Sequence, residues 1–299
     1  MSFISKTTES EPLPPLVNIN QSKWRMLNRF LGQTFIWFFI GIGLVIMVIP
    51  ALWMILSSFK SLAEVQSIPM TLIPCEWIWE NYVKAWTVTR MERAFINSTL
   101  LATTVTLIIL LTSTWGGYVF SKMDWPGRDK VLYLLLATMM IPGFLTLIPR
   151  FVIVIKAGLV NSYAGVIIPA MVSTFGIFMT RQFMLGIPKD LTDAGIVDGC
   201  NVFQVYWHII LPLCKPVIAV LAIFTFDSNW NSLLWPLMVL TKRDLWTIPV
   251  TLAGLKTQEM FQYHIQMAGA SIAIIPVIIL FLILQRHIIQ GVALSGVKG

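Results

Sequence analysis

Long apolar runs, separated by short polar stretches, dominate this chain. The charged residues are clustered, and the gaps between clusters are long enough to cross a hydrocarbon core, which takes about 20 helical residues. The runs do not alternate with a period of two, and only helices or closed barrels satisfy every backbone group in lipid. The pattern predicts an all-α polytopic membrane protein with six transmembrane helices, at about residues 34–56, 94–120, 131–155, 162–180, 216–240 and 266–285.

Two of the predicted crossings contain charged residues. Arg150 interrupts the third crossing, and the fifth contains Asp227 together with Asn229 and Asn231. Polar groups at this depth are costly unless they face the interior of the bundle or a cavity. Three roles stay open for Asp227: contact with a substrate, structural pairing inside the bundle, and proton relay. Arg150 is a candidate partner for such a pair.

Composition assigns the chain to the bilayer. Of its 299 residues, 57% are hydrophobic and 12% are charged, and the mean hydropathy of +0.78 excludes a water-soluble domain. The net charge of +7 is not accompanied by a nucleic-acid-binding motif, so nucleic acid is not an expected partner. The three cysteines, Cys75, Cys200 and Cys214, lack metal-ligand spacing, and no metal site is expected.

Both ends of the chain are predicted to lie in the cytoplasm. Residues 1–22 are polar and proline-rich, which predicts a loose tail, and residues 23–299 are predicted to form one transmembrane domain. Basic residues at 23, 25 and 29 precede the first crossing, and such clusters stay on the cytoplasmic side. Six crossings return the C-terminus to that side. The first apolar run lacks a cleavage site and is expected to remain as an anchor.

The longest predicted external segment, at about residues 57–93, contains SIPMTLIP and WIWENYVKAW. Trp is enriched at membrane interfaces because its ring is apolar and its N–H is polar. The tryptophans therefore indicate either a position at the membrane surface or a docking site for an external partner.

The segment at about residues 186–214 is amphipathic and is predicted to lie in the cytoplasm. Pro188 and Asp190 are helix-start signals, Gly199 is a break, and NVFQVYWHII predicts a second helix that ends near Leu211 and Pro212. This helix-turn-helix would place Asp193, Ala194, Gly195 and Asp198 at an exposed corner, where the small residues allow another protein to approach the backbone. The alternative is an ordinary interfacial hairpin with solvated acids.

The same segment resembles the cytoplasmic coupling loop of binding-protein-dependent ABC import permeases, whose pattern is E-A-A, three residues, G, nine residues, I, one residue, L-P. Here it reads D-A-G-IVD-G-CNVFQVYWH-I-I-L-P, with Asp193 in place of Glu and Gly195 in place of the second Ala. FINS near Asn97, GGYVFSKMDWPGRD, GLVNSYAG, WNSLLWPL and the C-terminal LQRHIIQGVALSGVKG extend the resemblance over residues 35–299. They resemble the subfamily for oligosaccharides and related polyols, to which the maltose permeases belong.

The resemblance implies one permease subunit of an ATP-driven sugar importer in a bacterial or archaeal inner membrane. Its implied partners are a second permease, in a heterodimeric pore, two ATP-binding subunits, an extracytoplasmic solute-binding protein, the sugar and membrane lipid. The chain has no G-x-x-x-x-G-K-S/T stretch, so it is not expected to be an enzyme, and ATP and magnesium would be bound by the partner subunits. No cofactor of its own is expected.

Two groups of residues follow from this resemblance. The first is predicted to couple the chain to the ATPase, and the second to line the sugar path, with indole rings against sugar faces. The coupling residues are Asp193, Ala194, Gly195, Asp198, Gly199, Ile209, Leu211 and Pro212. The path residues are Asp227, Asn229, Trp230, Asn231 and Trp235.

Two other function classes are alternatives to the importer. An ion-driven secondary transporter should show matching interrupted helices in both halves, and only one interrupted helix is visible in the sequence. A membrane enzyme would need a convergent catalytic set, and His208, His264 and His287 are scattered. Neither class requires the cytoplasmic loop pattern. The sugar itself stays open among maltose-like oligosaccharides, other plant-derived sugars and glycerol phosphates.

Overall fold

The computed structural model describes the backbone of residues 19–255 and 262–296 and the side chains of residues 32–255 and 262–285. The chain divides into two compact units, Met1–Trp53 and Met54–Gly299. A loose tail was predicted for residues 1–22. Residues 1–18 of it lie outside the described residues, as do residues 297–299 at the C-terminus.

The first unit consists of most of helix α1, Ile19–Ser57. Residues 19–22 are helical, so the predicted tail is wrong there, and the helix begins well before the predicted start at about residue 34. Hydropathy marks only the part of a helix that lies in lipid, whereas the Gln, Lys, Arg, Met and Leu residues before it also favour helix. None of the apolar window within Gly32–Ser57 is buried.

The second unit is built from helices and turns, and the residues described in it include no strand. Its helices are α2 Leu62–Val65, α3 Glu80–Thr87, α4 Met91–Lys122, α5 Arg128–Thr138, α6 Gly143–Lys156, α7 Tyr163–Ile167, α8 Thr174–Leu185, α9 Lys189–Val197, α10 Val202–Gln204, α11 Leu211–Leu213, α12 Lys215–Trp230, α13 Leu234–Val239, α14 Ile248–Gly254, α15 Tyr263–Ala273 and α16 Ile275–Gly296. A 3-10 turn, Ile168–Ala170, extends α7, and a π-helical turn, Val205–Ile210, joins α10 to α11.

Within the described part of the chain, length and composition allow up to six membrane crossings. Three helical stretches are long and apolar enough to cross alone: Gly32–Ser57, Met91–Lys122 and Tyr263–Gln285. Three bent pairs qualify if each pair counts as one span. They are α5 with α6, bent by 97°, α7 and its 3-10 extension with α8, bent by 41°, and Val202–Leu213 with α12, bent by 78°.

Backbone breaks divide two of the predicted crossings. The third, at 131–155, is interrupted before Gly143, where Pro142 caps α6 with φ −57° and ψ 129°. Proline has no N–H and disfavours helical geometry in the residue before it. The fifth, at 216–240, stops at Trp230 and resumes at Leu234. Irregular backbone at membrane depth is tolerated where it is buried in protein or lines a cavity.

Helix α4 is central to the packing of the second unit and contacts α8, α12 and α14. A glycine allows α4 and α8 to approach closely, because a Cβ at Gly117 would lie 2.9 Å from the backbone nitrogen of Arg181. The Thr180 hydroxyl of α8 donates to the carbonyl of Ser113 in α4 at 2.7 Å. In lipid such close packing and hydrogen bonding, rather than the hydrophobic effect, hold helices together.

Two asparagines join the loops at one end of the second unit. The Asn97 amide in α4 donates to the backbone carbonyls of Asp244 and Trp246, both at 2.9 Å. Asn161, in a left-handed conformation with φ 58°, accepts hydrogen bonds from residues 241–242 at 2.7 to 2.9 Å. The loop after α6 and the loop after α13 are therefore fixed relative to each other and to α4.

The segment between α1 and α4 is organised by hydrogen bonds to two side chains. Asn81 donates to the carbonyls of Ser58 and Lys60 at 2.8 and 2.9 Å. The Glu64 carboxylate accepts from the Thr71 hydroxyl at 3.0 Å and from the Cys75 N–H at 2.9 Å. Several apolar side chains of this segment are exposed, namely Ile68, Met70, Leu72, Ile73, Trp77 and Trp79. Both roles predicted for it, membrane surface and partner docking, stay predictions.

Replacing Glu64 by Gln is expected to lower the pKa of the exposed Cys75 thiol. Glu64 holds this pKa above its usual 9.0, first through a hydrogen bond to the thiol and then through its negative charge. Because the thiolate is the reactive form, the pH midpoint of Cys75 alkylation by iodoacetamide should shift downward in Glu64→Gln. Mass spectrometry of the Cys75 peptide measures this midpoint. In the matched variant Glu76→Gln the shift should be smaller, and equal shifts would contradict the assignment.

Candidate coupling hairpin and membrane cavity

The first arm of the predicted coupling loop is helix α9, and its start and end follow the sequence signals. Pro188 is the N-cap and Asp190 lies in the first turn, where a carboxylate favours the helix dipole. Gly199 has φ +86° and ends the helix in a Schellman motif. The N–H of Cys200 bonds to the carbonyl of Gly195 at 2.9 Å, and that of Gly199 to Ile196 at 3.0 Å.

The second arm begins immediately after this turn. Asn201 and Gln204 form a capping box, in which each side chain accepts from the other residue's backbone N–H. The helix then continues through the π-helical turn to Leu213. The helix-turn-helix geometry predicted for residues 186–214 is therefore present.

The two arms pack against each other through small and branched residues. A Cβ on Gly195 would lie 2.5 Å from Ile209 Cδ1 and 3.4 Å from Val205 Cγ2. Gly195 is buried, and its absent side chain allows the two arms to approach each other. Its predicted contact with a partner protein stays a prediction. Ile209 likewise packs on the interior of the hairpin.

The outer corner of the hairpin carries the exposed members of the predicted coupling set. Asp193, Ala194, Asp198 and Gly199 are exposed, and Val197 beside them is 86% exposed. Pro212 is also exposed and Leu211 half-buried, at the far end of the second arm. A corner that combines apolar side chains with carboxylates can form both the apolar centre and the charged rim of a protein interface.

The hairpin is anchored to the helices beside it. The Tyr206 hydroxyl is hydrogen-bonded to Thr114 of α4 at 2.8 Å, and both residues are buried. At the base of the hairpin, the Lys122 ammonium donates to the carbonyl of Ile187 at 2.5 Å. A displacement of the hairpin would therefore act on α4 directly.

A cavity of about 320 Å³ lies among the broken helices. It is bounded by α4, α6, the turn between α7 and α8, α12, α13 and the start of α14. Two of the predicted path residues, Asn229 and Trp235, line it together with Arg150. The guanidinium of Arg150 stands over the Trp235 ring, 4.3 Å from its centroid.

The other three predicted path residues line a second depression of about 540 Å³. Asp227 accepts from the Asn231 amide at 2.8 Å. Trp230 is fully buried, and its indole N–H donates to the carbonyl of Ala273 at 3.0 Å. Asp227 and Arg150 thus border different spaces, and among the described residues no ion pair joins them.

The sequence did not point to several residues that shape the first cavity. Ser98 accepts from the N–H of Ile248 at 2.8 Å, and Ser98 and Thr247 both line the cavity wall. Ser98 belongs to the FINS motif, which is the one signal that could have found it. In the described part of the chain, no group of three or more His, Cys, Asp or Glu residues is arranged to hold a metal ion.

Comparison with known proteins gives matches over most of the chain. Residues 121–294 match the family described as binding-protein-dependent transport system inner membrane component. The arabinooligosaccharides transport system permease protein AraQ of Halalkalibacterium halodurans is 38% identical over 257 residues, covering 85% of this chain and 92% of AraQ. The diacetylchitobiose uptake system permease protein NgcG of Streptomyces coelicolor is 30% identical over 253 residues, covering 83% of each chain.

A solved structure shares the fold. It is the crystal structure of a bacterial ABC transporter involved in the import of the acidic polysaccharide alginate, one chain of which superposes with a TM-score of 0.73 at 22% identity. The match covers 91% of this chain and 99% of that chain. Since the family match spans more than half of the sequence, this chain belongs to the binding-protein-dependent transport system inner membrane components and is an ABC transporter permease.

Proposed function

We propose that this chain is a permease subunit of an ATP-driven importer for a sugar, and that it forms half of the translocation pore beside a second permease. Similar permeases are named for arabinooligosaccharides, diacetylchitobiose and lactose, which supports a carbohydrate substrate. Two ATP-binding subunits bind ATP and magnesium on the cytoplasmic side, and a solute-binding protein delivers the sugar from outside. The N- and C-termini lie in the cytoplasm.

The anchored hairpin is the observation that carries this proposal. Its outer corner is exposed, and its second arm is hydrogen-bonded to α4 through Tyr206 and Thr114. Closure of the ATPase pair would displace the corner formed by Asp193, Ala194, Asp198 and Gly199. The displacement would then reach α4 and α8, which pack closely. Gly195, Ile209, Leu211 and Pro212 maintain the shape of the hairpin and its junction with α12.

The cavity beside Arg150 is the part of the sugar path that this subunit contributes. Trp235 and Asn229 line it, so an indole ring and an amide border the space that a polyhydroxylated substrate would occupy. The indole N–H of Trp235 and the hydroxyl of Thr247 are buried without a protein partner. Buried polar groups of this kind are satisfied by water or by ligand. Asp227, Trp230 and Asn231 line the neighbouring depression.

Reconstitution tests the proposal directly. The chain is inserted into vesicles with its permease and ATPase partners, and uptake of labelled sugar is followed with and without ATP and the solute-binding protein. We expect uptake only when both are present. Uptake by this chain alone, driven by an ion gradient, would instead establish the secondary transporter considered above.

A further inference from the structure

The membrane cavity holds a positive charge for which its own wall offers no counter-charge. Arg150 is half-buried, and its Nε is buried without a hydrogen-bond partner. The residues that line the cavity include serines, a threonine and an amide, but no Asp or Glu. Asp227, the carboxylate of α12, lines the other depression and is hydrogen-bonded to Asn231.

The contact with Trp235 does not replace a counter-ion. The guanidinium carbon lies 4.3 Å from the centroid of the Trp235 ring, and this cation–π contact offers no hydrogen-bond acceptor to the N–H groups. The N–H donors of arginine lie in that plane and point outward from its edge, in a fork that matches the two oxygens of a carboxylate or phosphate. The contact with Trp235 therefore satisfies none of these N–H donors.

The position of the charge also favours a ligand role over a structural one. A cation inside a membrane protein is costly, and structural cations are normally paired with a carboxylate or with backbone carbonyls. The structure gives Arg150 neither a salt bridge nor a hydrogen bond among the described residues. The indole N–H of Trp235 and the Thr247 hydroxyl are further donors without a protein partner in the cavity wall.

We propose that Arg150 and the cavity beside Trp235 form a subsite for the anionic group of a negatively charged sugar. The proposal rests on the function proposed above and names the substrate class: a saccharide or polyol that carries a carboxylate or a phosphate. The Arg150 fork binds the two anionic oxygens. A neutral sugar leaves the fork unsatisfied and binds more weakly in this cavity.

Equilibrium binding to the assembled transporter tests this subsite. The transporter is placed in nanodiscs without the solute-binding protein, so that the selectivity of that protein does not enter. Three labelled probes are compared: a hexuronate disaccharide, the neutral disaccharide of the same linkage, and glycerol 3-phosphate. We expect at least one anionic probe to bind about 10-fold tighter than the neutral one, as for a charge-assisted bidentate pair.

Variants on helix α6 distinguish an effect of the Arg150 charge on binding from an effect on folding. Arg150→Gln should remove the preference for the anionic probe, and Arg150→Lys should retain part of it because the charge remains while the fork is lost. Lys156→Gln, an exposed cation on the same helix, is the matched control and should leave the preference unchanged. Tighter binding of the hexuronate identifies a sugar acid as the substrate class, and tighter binding of glycerol 3-phosphate identifies a phosphorylated polyol.

Three results would overturn the subsite: equal binding of neutral and anionic probes, no binding of either anionic probe, or a preference that survives in Arg150→Gln. ATP-dependent uptake in vesicles, measured with a panel of neutral sugars and the solute-binding protein, separates this failure from failure of the proposed function. If neutral sugars are taken up but the anionic preference is absent, only the subsite is wrong. If ATP drives no sugar uptake at all, the importer assignment itself fails.

Discussion

A transporter that carries Gly199→Val is expected to lose at least about 10-fold in ATP-driven sugar uptake while still assembling in the membrane. Gly199 has φ +86°, and a β-branched residue in the left-handed region costs about 1–3 kcal/mol. The Schellman turn would open to relieve this strain, which would move Asp198 and the exposed corner away from the contact proposed with the ATPase. ATP hydrolysis would then no longer be coupled to movement of α4.

A second glycine provides a matched control for this prediction. Gly127 has φ +87°, and neither it nor Gly199 has any atom within 4 Å of an added Cβ. Gly127→Val therefore introduces the same backbone strain outside the hairpin and should transport normally or nearly so. Gly199→Asn should retain most of the activity, because Asn tolerates the left-handed conformation. Normal uptake by Gly199→Val, measured beside ATPase activity, would remove the hairpin from the coupling mechanism.

The largest loss of stability is expected from Gly117→Leu. A Cβ at Gly117 would overlap the hydroxyl of Thr180 and lie 2.9 Å from the backbone nitrogen of Arg181. A backbone atom cannot rotate away, so α4 and α8 would have to separate. Overpacking of this kind costs about 3 kcal/mol, and it would also break the bond from Thr180 to Ser113. Less folded protein should remain soluble in detergent after heating.

The same substitution in α1 controls for the loss of glycine alone. Gly41 has no atom within 4 Å of an added Cβ, so Gly41→Leu should leave the melting temperature close to that of the unaltered protein. A Gly117→Leu protein as heat-resistant as Gly41→Leu would contradict the close packing of α4 on α8.

The membrane class and the hairpin were predictable because both depend on local sequence. Apolar length alone identifies a crossing. Gly199 is a local signal for the end of a helix, and Asn201 is a local signal for the start of the next one. Residues 19–22 were mispredicted for the same reason, since hydropathy does not report where a helix begins outside the lipid. The breaks before Gly143 and after Trp230 were also missed, although Pro142 and Asn231 were visible signals.

The sequence by itself determined that this chain is a helical membrane protein with a helix-turn-helix hairpin at residues 186–214, because periodicity, proline and glycine act over a few residues. Only the tertiary structure decided which polar residues meet. It separated Asp227 from Arg150, buried Trp230 against Ala273, and placed Arg150 on Trp235, which is far from it in the sequence. Such pairings depend on how broken helices from distant parts of the chain pack together, and no local pattern encodes that arrangement.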